Sequence, residues 1–187
     1  MSDNFYLKRR SVLARKMQNH PIKADDLKII INAGIRVPDH GALNPWKIKV
    51  IQKEKLKAID ENIILAEFKR ENPEASNESL EIESKRLQRA SAVLAVLSTP
   101  VEHPKIPKWE MVLSSGAVCM NLLSCAQSLG YAAQWLTEWY AYNNKMLEYL
   151  EGRQGIDQIS GFIYIGHKIE EPNERRRPDP HKVISYL

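Results

Sequence analysis

The sequence predicts an α+β fold, and three observations lead to that prediction. Two short runs, Ala92 to Ser98 and Gly161 to Gly166, are almost entirely apolar, which is typical of strands buried on both faces. Between them, residues 109 to 129 carry small and apolar side chains nearly all round, which indicates a helix buried on every side. Residues 53 to 90 are strongly charged and indicate surface helices. Strands separated by helices in this order favour a mixed α+β sandwich.

The N-terminal segment is predicted to form a helix over residues 3 to 17. Asp3 is available as its N-cap, and apolar residues within the segment can supply contacts to the core. The polar face of this helix would carry Arg9, Arg10 and Ser11.

Three further elements are predicted before the first buried strand. A second helix opens at residues 24 to 26 and ends at Pro38, because the residue before a proline is pushed out of the helical region. Trp46 to Ile51 is enriched in β-branched residues and is predicted to be a strand. The charged segment should form two surface helices, one on each side of a break at Asn72-Pro73.

The buried helix over residues 109 to 129 also predicts a second copy of the chain. In so small a protein, a helix that long needs more cover than one subunit offers. Small side chains would let the backbone of a partner approach closely; they are Ser114, Ser115, Gly116 and Ala117. Gly130 should end the helix as a left-handed cap. The sequence therefore predicts a homodimer.

The C-terminal part should add two strands, one helix and an extended tail. The strands are predicted at residues 131 to 135 and 161 to 166, and the helix at residues 142 to 149. The tail after Pro172 should be extended, and its last five residues, VISYL, could add a strand to another chain's sheet. Tryptophans 46, 109 and 139 are expected in the core, since no polar residues near them converge on a ligand.

Length and composition limit the class of protein. The 187 residues, 43% of them hydrophobic, can bury a real core, and a single domain over residues 1 to 187 is expected. No run of 18 consecutive apolar residues is present and the N-terminus lacks an apolar signal core, so we expect no membrane span and a cytoplasmic protein. Cys119 and Cys125 are six residues apart on the predicted helix and lie on roughly opposite faces, so they should be reduced.

The charge pattern favours a small anion over a nucleic acid. The net charge is +4, but positive residues are spread along the chain and largely matched by 23 acidic ones. Only two tight clusters stand out, Lys8 to Arg10 and Arg175 to Arg177. Two small clusters at opposite ends of the chain suit one phosphate better than a polymer backbone, so no nucleic-acid partner is expected.

The sequence lacks the motifs of several classes of enzyme. The chain has no GxGxxG after a strand, no GxxxxGK[ST], no HExxH, no GxSxG and no CxxC. His40 lies near Asp39 and Arg36 in the sequence and could act as a general acid or base. It could instead only form a hydrogen bond within its own turn. No metal site and no side chain acting as a catalytic nucleophile are expected.

Several motifs taken together resemble one family. Arg9-Arg10-Ser11 is similar to the N-terminal R-R-S signature of the FMN-dependent nitroreductase family, and the loop from Arg36 through Pro38 to Asn44-Pro45-Trp46 is similar to that family's A-P-S-x-x-N/Q-P-W loop in a P-D-H variant. The variant resembles a short bacterial branch of NAD(P)H nitroreductases. Later landmarks follow in order: Gly130 to Ala133, Trp135 to Thr137 and Gly161 to Gly166.

The resemblance implies a fold, a cofactor and a set of binding residues. The family is built as an interlocked α+β homodimer with a mixed or antiparallel central sheet flanked by helices, and FMN lies at each of two sites between the chains. By resemblance, the ribityl phosphate and the pyrimidine edge would be held by Arg9, Arg10 and Ser11. Contacts from the partner's loop would come from Arg36 and His40, with Asn44 as a weaker candidate. The ring near its reactive nitrogen would be lined by Trp135, Leu136 and Thr137, with Leu136 using only its backbone.

The implied activity is an oxidoreductase in which the flavin carries the redox chemistry. NAD(P)H would reduce the flavin and leave, and a nitroaromatic, quinone or related small acceptor would then take its place in a ping-pong mechanism. Arg9 or Arg10 could stabilise the reduced flavin, and His40 could supply a proton. Arg175 to Arg177 stand roughly where the family has a C-terminal phosphate-binding arginine. The alternative is a flavin-binding carrier or sensor without turnover.

Overall fold

The computed structural model describes residues 4–187 and contains one antiparallel sheet of five strands. Four strands follow the order β1-β5-β3-β2, and β4 pairs with β5 beside β1. All pairings are antiparallel. The strands are β1 (Met17–Gln18), β2 (Trp46–Ile51), β3 (Ala92–Ser98), β4 (Ala132–Leu136) and β5 (Gln158–Lys168).

The central strands form because they are apolar on both faces. Every residue of β3 is buried, as the sequence predicts. Alternate side chains enter two different cores, since successive residues of a strand point to opposite faces. Val93 lies in one core with Tyr164 of β5, and Leu94 lies in the other with Ile163. Strand β2 is paired with β3 so that Trp46 lies opposite Ser98.

Helices cover both faces of the sheet. The described helices are α1 (Phe5–Lys8), α2 (Ala24–Gly34), α3 (Lys53–Ile59), α4 (Ala66–Glu71), α5 (Asn77–Glu83), α6 (Lys108–Ser128), α7 (Asn144–Tyr149) and α8 (Pro180–Val183). One core contains Ile30 of α2 together with Val118 and Leu122 of α6. Leu56 of α3 and Met146 of α7 belong to the core on the opposite face.

The prediction of an N-terminal helix over residues 3 to 17 is wrong beyond Lys8. Asn4 caps α1 by accepting a hydrogen bond from the amide of Tyr6, and the predicted cap, Asp3, lies outside the described residues. From Arg9 the chain is extended up to a single 3-10 turn at residues 14–16. The amide of Val12 donates to the carbonyl of Ala133 at 3.2 Å, so pairing with the sheet replaces helical hydrogen bonds here.

Helix α6 has the predicted bounds to within one residue, and a single chain does not cover all of it. It ends at Ser128 with Leu129 as its C-cap, and Gly130 follows in the left-handed conformation with a φ of 88°, as predicted. One side packs on α2 and the sheet, whereas Trp109 and Leu113 are 68% and 52% exposed. The expectation that Trp109 lies in the core is therefore wrong, because this face of α6 is not covered by the chain itself.

By length and mean hydropathy, α6 is the one helix among residues 4–187 that could cross a membrane. Half of its apolar window is buried inside the chain, and core helices of other folds meet the same measure. Cys119 on this helix is buried and Cys125 is half-buried, and both thiols are free.

The charged segment forms two helical units separated near Asn72, as predicted. The first runs from α3 through a π-helical stretch, Asp60–Leu65, into α4, and the second is α5. The π-helical stretch contains a fully buried carboxylate, Asp60. Its oxygens accept hydrogen bonds from the amides of Leu87 and Gln88 and from the side-chain amide of Gln88.

Asp60 makes the stability of the fold depend on pH. Burial raises its pKa from 3.8 to about 6, although its hydrogen bonds act in the opposite direction. The native carboxyl thus binds its proton more tightly than the unfolded one, and stability falls as pH rises from about 4 to about 6. We expect this group alone to lower the free energy of unfolding by roughly 3 kcal/mol over that window.

The measurement is urea unfolding at pH 4 and pH 7 for the wild type and for Asp60→Asn. The variant carries no ionisable group at this position, so its loss of stability between the two pH values should be smaller by the amount given. An identical pH dependence in the two proteins would contradict this assignment.

The C-terminal tail leaves the sheet after β5 and is exposed. It contains the short helix α8, and the last residues, VISYL, pair with no strand of the described chain. The proposal that they join a partner's sheet stays a prediction.

Candidate functional site

The arginine-bearing segment after α1 is held against β4 by two glutamines. Gln127, near the end of α6, donates from its amide to the carbonyls of Arg10 at 2.8 Å and Ala133 at 3.2 Å. Gln134 of β4 accepts from the amide of Ala14 at 2.6 Å. Neither glutamine was found from the sequence, although each is a lone amide within an apolar run and could have signalled a backbone contact.

A cationic cavity of about 310 Å³ opens beside this segment. Arg10 and Ser11 line it together with Lys16 and Arg175, so residues from both ends of the chain meet here. Lys16 pairs with Glu170 at 2.6 Å, which leaves a surplus of positive charge. Such a cavity suits an anion with several oxygens, because guanidinium groups present paired donors to phosphate.

Arg9 and Arg10 differ in the contacts that their guanidinium groups make. The guanidinium of Arg10 donates to the carbonyl of Asn173 at 2.6 and 3.1 Å and lies 3.4 Å from Glu174. Arg9 donates to Gln127 at 3.4 Å and lines a second cavity of about 390 Å³, which also includes Arg10. The two arginines thus have different hydrogen-bond partners but share the second cavity.

Trp135, Leu136 and Thr137 end strand β4. Trp135 is 37% exposed, and its indole N–H donates to the carbonyl of Ser160 at 3.0 Å. Gly161 makes this possible, since a Cβ there would lie 2.1 Å from the indole nitrogen. Leu136 packs against the core that contains Val93 and Tyr164. Because successive residues of a strand point to opposite faces, its side chain faces away from that of Trp135. Thr137 is half-buried at the end of the strand.

The loop after α2 places His40 beside α6. Its ring Nδ1 lies 2.7 Å from a carboxylate oxygen of Glu110 in the first turn of that helix. Asp39 accepts from the amide of Asn44 at 2.7 Å, and Ser114 donates to the carbonyl of Pro38 at 2.9 Å. The loop is therefore fixed by its own turn and by α6.

His40 and the arginine segment meet α6 at opposite ends. Glu110 contacts His40 and Gln127 contacts Arg9, and the two are 17 positions apart, or roughly 25 Å along the helix axis. Within one chain, the structure therefore groups Arg10 with Ser11 but does not bring His40 to them. This separation fits the expectation that the two groups serve one site from different chains.

Arg36 also lies along α6. Its carbonyl accepts from the side chain of Asn121 at 2.9 Å. No cluster of three or more His, Cys, Asp or Glu within residues 4–187 is arranged to hold a metal ion.

Comparison with known proteins shows which family has this architecture. The sequence profile described as "Nitroreductase family" matches residues 6–167, which is most of the chain. The chain belongs to the nitroreductase family. Two relatives are each 27% identical to this chain. One is "Putative NAD(P)H nitroreductase YdjA" of Escherichia coli K12, over 173 residues and 87% of each chain. The other is "Putative NAD(P)H nitroreductase" of Haemophilus influenzae, over 166 residues and 88% of each chain.

Solved structures of nitroreductase family proteins share the fold. A nitroreductase-like protein from Bacillus cereus superposes with a TM-score of 0.77 at 21% identity, covering 98% of this chain and 94% of its own. A nitroreductase from Bacteroides fragilis, solved with bound FMN, superposes with a TM-score of 0.71 at 21% identity, covering 98% and 96%. The predicted α+β, nitroreductase-like fold with a helix-flanked antiparallel sheet is confirmed.

Proposed function

We propose that this protein is an FMN-dependent oxidoreductase that takes electrons from NAD(P)H and passes them to a small acceptor such as a nitroaromatic or a quinone. The observation that carries the proposal is the cationic cavity of Arg10, Ser11, Lys16 and Arg175 in a chain of the nitroreductase family. Its relatives in Escherichia coli and Haemophilus influenzae bear the name NAD(P)H nitroreductase. We also propose that this protein acts in the cytoplasm.

The residues present fit FMN. A phosphomonoester is a compact dianion, and the cavity is lined by two guanidinium groups and a hydroxyl, besides the ammonium group of Lys16, which is paired with Glu170. Arg9 on the neighbouring cavity would add to the positive potential. The partly exposed edge of Trp135 and the backbone through Leu136 and Thr137 would receive the ring.

When bound, FMN supplies the redox chemistry, and the chain binds and orients it. Arg10 and Ser11 would hold the phosphate, and Arg175 would close the same cavity from the tail. His40 of the second chain would present its free Nε2 toward the cofactor, because Nδ1 is engaged by Glu110. Electron donor and acceptor would occupy the same open side in turn, which gives ping-pong kinetics.

A homodimer would complete the site. The uncovered face of α6 carries Trp109 and Leu113, which are followed at helical spacing by Gly116, Ala117 and Met120. Pairing this face with a second copy, with the two helices antiparallel, would bring His40 of one chain toward Arg9 and Arg10 of the other. An isologous contact of this kind produces two equal sites.

The visible spectrum and FMN content of the purified protein test the cofactor, and steady-state oxidation of NADH and of NADPH tests the reaction. We expect flavin absorbance, about one FMN per chain, and oxidation that depends on added nitroaromatic or quinone. A matched sample with riboflavin in place of FMN separates binding through the phosphate from binding through the ring.

Two outcomes would reject the proposal in different ways. Protein that stays colourless after incubation with excess FMN has no flavin site. Protein that binds FMN but leaves NADH and NADPH unoxidised with every acceptor is a flavin carrier or sensor.

A further inference from the structure

Immediately after Thr137 the backbone adopts a conformation that glutamate rarely takes. Glu138 has φ 50° and ψ 175°, close to a region occupied almost only by glycine. A residue held in such a backbone conformation costs about 1 to 3 kcal/mol, and the conformation persists only where its surroundings fix it. The strained residue follows directly on the segment proposed to receive the flavin ring.

Two arginines hold this strained residue in place. The carboxylate of Glu138 lies 3.0 Å from Arg86 and 2.8 Å from Arg89, and its side chain is 19% exposed. Arg89 is itself fixed, because it donates to the carbonyl of Arg86 at 2.6 Å and lies 5.3 Å above the ring of Tyr164. These partly buried, charge-assisted contacts are the strong kind.

The next residue is attached to the same segment. The indole N–H of Trp139 donates to Glu83 at 3.0 Å, and Glu83 also accepts from Arg86 at 2.9 Å. The carboxylates of Glu83 and Glu138 therefore balance the charges of the guanidinium groups of Arg86 and Arg89 next to the end of β4. The chain is clamped at both residues after Thr137, so the end of the strand has little freedom to move.

We propose that Glu138 is a positioning residue, whose carboxylate, held by Arg86 and Arg89, fixes the left-handed turn that aims the end of β4 at the flavin ring. This inference rests on the function proposed above. It assigns to Glu138 no contact with the reacting atoms. The ion pairs offset the cost of the strained backbone, and the backbone in turn sets where Thr137 lies.

The test compares Glu138→Ala with Glu138→Gly. Both variants lose the ion pairs, but glycine adopts the observed φ and ψ without strain whereas alanine does not. Asp157→Ala is the matched control, since Asp157 is a buried carboxylate paired with Arg153 at 2.7 Å in another part of the chain. Each variant is examined first without cofactor and then after reconstitution with FMN.

In the cofactor-free protein, hydrogen exchange of the peptide covering residues 135 to 140 is expected to be faster in Glu138→Ala than in the wild type and in Asp157→Ala. In the reconstituted protein, we expect NADPH to reduce the bound flavin roughly 10- to 100-fold more slowly in Glu138→Ala, since misplacement by about 1 Å can cost that much. Glu138→Gly should recover part of the rate.

The outcomes separate the two claims. Wild-type protein that binds no FMN removes the proposed function, and unchanged hydrogen exchange in Glu138→Ala removes the clamp. If the wild type holds FMN and Glu138→Ala keeps its flavin spectrum and reduction rate, the positioning role is wrong. Equal losses in the alanine and glycine variants would also overturn it, because the backbone conformation would then be irrelevant.

Discussion

Replacing Arg10 by alanine is expected to weaken FMN binding by roughly 10- to 100-fold. Arg10 lines the cationic cavity, and a hydrogen bond to a charged group contributes about 1.5–3 kcal/mol. The carbonyl of Asn173, which Arg10 now holds at 2.6 Å, would also lose its donor. The tail that carries Arg175 into the same cavity would then be less well placed, so the effect should lie toward the upper end.

The measurement is the dissociation constant of FMN from fluorescence quenching, repeated with riboflavin. Riboflavin has no phosphate, so its affinity should change much less than that of FMN. Arg15→Ala is the matched control, because Arg15 is an exposed neighbour that lines a different cavity. An Arg10→Ala protein with wild-type FMN affinity, or one that loses both ligands equally, would show that the phosphate is held elsewhere.

Replacing Leu113 by glutamate is expected to separate the dimer and to remove FMN at the same time. Leu113 is 52% exposed in the free chain, so a charge there is solvated and the subunit should still fold. In the proposed dimer the same side chain lies between two copies of α6. Burying an unpaired carboxylate at the centre of an interface costs 2 kcal/mol or more, which raises the dimer dissociation constant by about 30-fold or more.

Sedimentation velocity and FMN content, measured on the same samples, check this prediction. Ile82→Glu is the control, since Ile82 is 51% exposed on α5, away from the proposed interface. We expect the control to remain dimeric and yellow. A monomeric Leu113→Glu protein that retains FMN with wild-type affinity would show that one chain suffices for the cofactor.

The parts of the fold that follow from local composition could be predicted. Strand β3 has the predicted bounds because it is buried on both faces and therefore apolar throughout. Strand β2 has the predicted bounds because its β-branched residues favour a strand, although most of it is only partly buried. Helix α6 could be predicted because it carries small and apolar side chains nearly all round. The sequence also predicts that one subunit cannot cover all of this helix, and Trp109 and Leu113 are indeed exposed. It does not predict which residues form the uncovered face, because apolar residues on such a face look the same in sequence as residues of a core.

The parts that depend on distant contacts could not be predicted. Residues 9 to 13 are extended, and the amide of Val12 pairs with Ala133 of β4, more than a hundred positions later. No local propensity encodes such a distant contact. Arg175 reaches the cavity of Arg10 only through the path of the tail. The turn at Glu138 has no glycine to mark it, because ion pairs rather than residue type hold it there.

The placement of His40 and Arg10 at opposite ends of one helix has a genetic consequence. If two copies pair as proposed, a chain lacking only Arg10 and a chain lacking only His40 each fail when paired with themselves. In a hybrid of the two, one pocket would collect both lesions and the other neither. Two alleles that are each inactive alone would thus complement each other in the same cell, because one pocket of the hybrid dimer would contain both Arg10 and His40.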